Sequence, residues 1–108
     1  MSTEKTRIPS QDISTMSDRL RDALSSSVSR CVGVHLVRDR WNGKTDKNVW
    51  RVRLWQAWFA GDDSPVYFVT TGDSIEPVGS LHDRFSVSLK AGLDLMTKTI
   101  TALEDFTL

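Results

Sequence analysis

Four tryptophans, Trp41, Trp50, Trp55 and Trp58, stand close together and are interleaved with Arg38, Arg40, Lys44, Lys47, Arg51 and Arg53. An indole beside guanidinium groups can stack on bases or anchor a protein interface, and arginine pairs well with phosphates and carboxylates. From 38 to 53 the basic residues meet only Asp39 and Asp46, a net charge of +4. From 54 to 83 the chain carries Asp62, Asp63, Asp73, Glu76 and Asp83 with no Lys or Arg, a net charge of −5. The whole chain is neutral, with 14 basic and 14 acidic residues. Neutrality removes the overall field that non-specific nucleic-acid or anionic-membrane binders usually carry, so an electrostatic partner must be met by a local patch.

On a strand, Arg51, Arg53 and Trp55 point the same way. Together with Arg38, Arg40, Lys44 and Lys47 they are the candidate partner-binding residues, and Asp62 and Asp63 offer a second, acidic surface. The plainer reading is that Trp50 and Trp58 fill the core, while Trp55 and Phe59 shield an open sheet face along which the arginine stems lie. The oppositely charged stretches can pair between two copies, giving a homodimer, or neutralise each other within one molecule.

Other chemistries find little support. Cys31, His35 and His82 lack the four-ligand spacing of a zinc site. Ser80, His82 and Asp83 are the residue types of a hydrolase triad, but neighbours on an extended chain point to opposite faces, and a triad needs convergence on an oxyanion hole. The acidic stretch lacks the regular oxygen ligands and closing glutamate of a calcium loop. No glycine-rich phosphate loop follows a strand. The chain is therefore expected to be non-enzymatic, with no catalytic residues, metal or cofactor.

The elements that position these residues follow from periodicity. Residues 1–9 lack a hydrophobic pattern and predict a flexible arm, followed by a single domain over 10–108. Met16, Leu20, Ala23, Leu24, Val28 and Cys31 predict a helix over about 12–31, with Ser10 as its cap and a serine-rich second half that weakens it. Val32, Val34 and Leu36 begin a strand running to Trp41, and Asn42-Gly43 opens a hairpin. A long second strand spans Val49 to Ala60, with Trp50, Val52, Leu54, Gln56 and Trp58 on one face and Arg51, Arg53, Trp55, Ala57 and Phe59 on the other. A third strand spans Pro65 to Thr71. Residues 84–89 read as a short fourth strand followed by a last helix over about 90–106, the alternative being one longer helix that starts after Ser80. Leu93, Met96, Ile100 and Leu103 form its apolar stripe.

The fold class is thus α+β: an antiparallel sheet of three to four strands flanked by an N-terminal and a C-terminal helix, both packed on one face. This order resembles that of the double-stranded-RNA-binding domain. That family opens its last helix with a lysine cluster, where this chain has only Lys90 and Lys98, so no family is assigned. A single cysteine, no signal peptide and no apolar run long enough for a membrane span predict a small soluble cytoplasmic protein without membrane association. The expected function is a protein-interaction module, such as an adaptor, inhibitor or immunity-type protein. It would bind a protein partner or itself through an exposed Trp and Arg sheet face and the charged patches. The alternative is an RNA- or DNA-binding module using the hairpin over 38–55.

Overall fold

The computed structural model describes residues 13–42, 50–80 and 82–106, with only the backbone of 105 and 106. The expected arm over 1–9, the cap at Ser10 and the loop carrying Lys44 and Lys47 lie outside them. In chain order come α1 (Ile13–Leu24), β1 (Cys31–Asn42), β2 (Trp50–Phe59), β3 (Val66–Thr71) and α2 (Leu89–Phe106). The three strands form one antiparallel sheet in the order β1-β2-β3, so the fold is α+β.

Helix α1 stops well short of residue 31. The Ser25 hydroxyl donates to the Arg21 carbonyl at 2.9 Å and accepts from the Cys31 N–H at 3.0 Å. It thereby joins the last helical turn directly to the first residue of β1. A serine hydroxyl that takes over backbone groups in this way competes with the next helical hydrogen bonds. Val28, expected on the buried stripe, is 93% exposed, and Cys31 is buried as the first strand residue.

Strand β2 is central, and its two faces have separate covers. Met16 and Leu20 of α1 pack with Trp55, Ala57, Phe68, Cys31 and Val34. Met96 of α2 packs with Trp50, Val52, Leu54 and Val69. Consecutive residues of a strand point to opposite sides, so the helices lie on opposite faces and not on one. The physical reason is that β2 is apolar on both sides at its centre, and one layer of helices can cover only one of them. The need of each helix to bury its stripe does not specify which face receives it.

The second helix fits its face through Gly92. A Cβ there would come within 3.0 Å of Tyr67 Cβ and 3.1 Å of Leu54 Cδ1, so the helix backbone rests almost directly on the sheet. Ser88 caps this helix, its Oγ accepting the Ala91 N–H at 3.1 Å. No fourth strand forms among the described residues. Residues 84–88 make a single bridge, Ser86 with Tyr67, and then turn into α2. Phe85 sets its ring edge-on to Phe68, with centroids 5.7 Å apart.

Candidate functional site

Two bulges in β1 decide where its charged residues go. Cys31 pairs with Phe59 and Gly33 with Trp58; Leu36 pairs with Trp55 and Arg38 with Leu54. Val32 and Val37 are therefore extra residues, and each inverts the alternation. After Val37, it is Asp39 that faces α1, opposite Arg53, while Arg38 and Arg40 face the side of α2. Helix α2 lies over β2 and β3, leaving His35, Arg38 and Arg40 of β1 exposed.

The Trp and Arg face expected to be open is instead the floor under α1. Trp55 is fully buried, and its indole N–H donates to Thr70 Oγ1 at 2.8 Å. Arg53 is 1% exposed. Its Nη1 donates to the Gly72 carbonyl at 3.1 Å and lies 3.0 Å from Met16 Sδ. The Asp39 and Asp73 carboxylates stand 3.8 and 4.0 Å from the guanidinium. These distances suit charge attraction but exceed those of hydrogen bonds, and Arg53 Nε and Nη2 have no hydrogen-bond partner. Burial lowers the Arg53 pKa, as does neighbouring Arg51, and the two aspartates oppose them. Trp55 and Arg53 are thus structural residues and not members of an accessible surface. An arginine at the centre of a strand whose flanks are apolar was the signal in the sequence for a buried ion cluster.

Arg51 occupies the rim of this cluster, half-buried. Its Nε stands 3.2 Å from Asp39 Oδ1, and its guanidinium lies 5.7 Å from the Trp41 ring centroid. Trp41 itself is 46% exposed. Asp62 and Asp63 are exposed in the β2–β3 turn, at the opposite end of β2 from Arg51. Asp73 returns to the basic end beside Arg53. Part of the charge separation along the chain is therefore neutralised inside the molecule. Ser80 Oγ donates straight to Asp83 Oδ2 at 3.0 Å, forming a turn, while His82 is exposed. Among the described residues no group of three or more metal-ligating side chains converges, and no helix is long and apolar enough to cross a membrane.

The two sheet edges differ. On β3, the Val78 N–H donates to the Val69 carbonyl at 2.7 Å, and Tyr67 and Ser86 exchange two bonds of 2.8 Å. On β1, the Ser25 Oγ takes the Cys31 N–H and the Ser17 Oγ donates to the Val34 carbonyl. Beyond these serines, from His35 to Trp41, the backbone is bonded only to β2 among the described residues. Val32, Val37 and Trp41 are exposed along the same strand. Sequence reasoning missed Val32 as a surface residue, because alternation without bulges gives it a place in the core. The adjacent apolar pair Leu36-Val37, which breaks strict alternation, was the available sign.

Comparison of the chain with known protein families, curated proteins and solved structures finds no match.

Proposed function

We propose that the chain is a non-enzymatic protein-interaction module whose docking element is the open half of β1. The observation that carries this reading is the asymmetry of the edges: β3 is closed by its own chain, whereas β1 leaves backbone groups from His35 to Trp41 without partners beyond β2 among the described residues. An extended segment of a partner can continue the sheet there, with main-chain hydrogen bonds supplying affinity and flanking side chains supplying selectivity. Trp41, exposed and held against Arg51, is the residue type that most often anchors an interface. Arg38 and Arg40 bracket Asp39 and protect the same edge from indiscriminate pairing, as charges on edge strands commonly do. The docking surface is thus a strand edge and its exposed side chains, and Trp55 and Arg53 have no part in it.

The test is a pull-down from native lysate with nuclease treatment as the control, comparing the natural chain with a Val37→Lys, Trp41→Ala double variant. A nuclease-resistant protein partner is expected to be retained by the first and lost by the second, with the thermal midpoint unchanged within a few degrees. Retention by the variant refutes the edge as docking element. A second reading, nucleic-acid binding, draws on Arg38 and Arg40 lying exposed on one uncovered face. It requires retention that is lost with nuclease and falls steeply with salt.

A further inference from the structure

On the α1 side of the sheet, between the end of that helix and the segment after β3, lies a cleft of about 320 Å³. Leu24, Phe59, Ile75, Pro77 and Phe85 give it an apolar lining that polar atoms interrupt. The charged residues that line it are Arg84 and, exposed at the rim, Glu76. Arg84 Nε is buried and has no hydrogen-bond partner. No carboxylate among the described residues comes within ion-pair distance of its guanidinium, and the two acids that bracket the cleft in sequence are engaged elsewhere or turned out. Asp83 accepts from Ser80, and Asp73 faces Arg53.

The backbone around Arg84 is fixed. Its N–H donates to the Ser80 carbonyl at 3.0 Å, and Ser86, two residues on, is bonded to Tyr67. Gly79, at φ +117°, lets the preceding loop close onto it, since a Cβ there would stand 3.2 Å from Arg84 Cα. A guanidinium that no carboxylate among the described residues answers, held at the wall of this cleft, matches a ligand with one carboxylate and a short hydrocarbon body. The cleft is at the small end of the range for ligand pockets, which fits a single small acid and not a whole lipid. We propose that this cleft binds a small amphipathic carboxylic acid, of the class of medium-chain fatty acids, with Arg84 holding the carboxylate and Ile75, Phe59 and Phe85 enclosing the chain.

The experiment is a titration of the full chain with octanoate and, separately, 1-octanol, followed by amide and methyl chemical shifts in NMR. Octanoate is expected to saturate, with the largest shifts at Leu24, Ile75 and Phe85, and 1-octanol to bind about tenfold or more weakly for want of the charged hydrogen bond. Arg84→Met is expected to abolish that preference while keeping the folded spectrum. Ile75→Trp, which fills the cleft, is expected to remove binding of both. Absence of saturable octanoate binding, equal affinity for the alcohol, or shifts mapping to another surface overturns the proposal. Its outcome is independent of whether β1 binds a protein.

Discussion

Replacing Arg53 by methionine is expected to leave the protein about as stable as before, although it deletes a fully buried charge from the centre of the sheet. The guanidinium stands 3.8 Å from Asp39 and 4.0 Å from Asp73. At an effective dielectric of about 20, opposite charges near 4 Å attract by about 4 kcal/mol. The attraction of Asp73 is weaker than this because that carboxylate is 36% exposed and water screens it. Against these gains stand repulsion from Arg51 and a desolvation cost of several kcal/mol, relieved by one carbonyl and a weak sulfur acceptor. The sum lies near zero, so Arg53→Met is expected to change stability by less than about 1 kcal/mol. Asp39→Ala removes the carboxylate shared by both arginines and leaves Arg53 buried with only the more distant Asp73, costing on the order of 3 kcal/mol. The double variant removes the stranded charge as well and is expected to recover about 2 kcal/mol of that loss. Urea unfolding followed by tryptophan fluorescence measures all four corners of the cycle. The reasoning fails if Arg53→Met costs as much as Asp39→Ala, or if the double variant is no more stable than Asp39→Ala alone.

Gly92→Ala sets a gain in helix propensity of about 1 kcal/mol against overpacking of about 1–3 kcal/mol. Overpacking wins, because Tyr67 Cβ at 3.0 Å is fixed to its strand and cannot yield. A net loss of about 1 kcal/mol should lower the thermal midpoint by about 4–8 °C in calorimetry, and a rise would show that α2 is free to shift outward. The Cys31 thiol, buried at the start of β1, has its pKa raised above the ordinary value of 9.0 chiefly by burial, opposed by a backbone hydrogen bond with Gly33 and by the charge of Arg21. The folded chain therefore keeps this proton at a pH where the unfolded chain loses it. Its contribution to stability is complete below pH 9.0 and is lost as pH rises through the folded-state value. Urea midpoints between pH 8 and about 10.5 should show this decline, and Cys31→Ala should flatten it; an equal decline in the variant assigns it to other groups.

The element order, the strand ranges to within a residue or two, and the apolar stripe of α2 were legible in the sequence, because each rests on short-range periodicity. So was the polarised charge, since it is a property of composition along the chain. The end of α1 was legible only as a weakness: the serine run announced a poor helix, but the hydroxyl that joins Arg21 to Cys31 is a contact made by the turn itself. Which helix covers which face of the sheet was decided only in three dimensions. Both faces of β2 are apolar, and periodicity records that a face is buried without recording by what. The bulges at Val32 and Val37 were decided there too, since an extra residue is defined by the strand opposite it. The bulge at Val37 sent Asp39 to the same side as Val34 and Leu36, inward to Arg53, and turned Arg38 and Arg40 outward; with the burial of Trp55 it moved the candidate surface from the sheet face to the edge of β1.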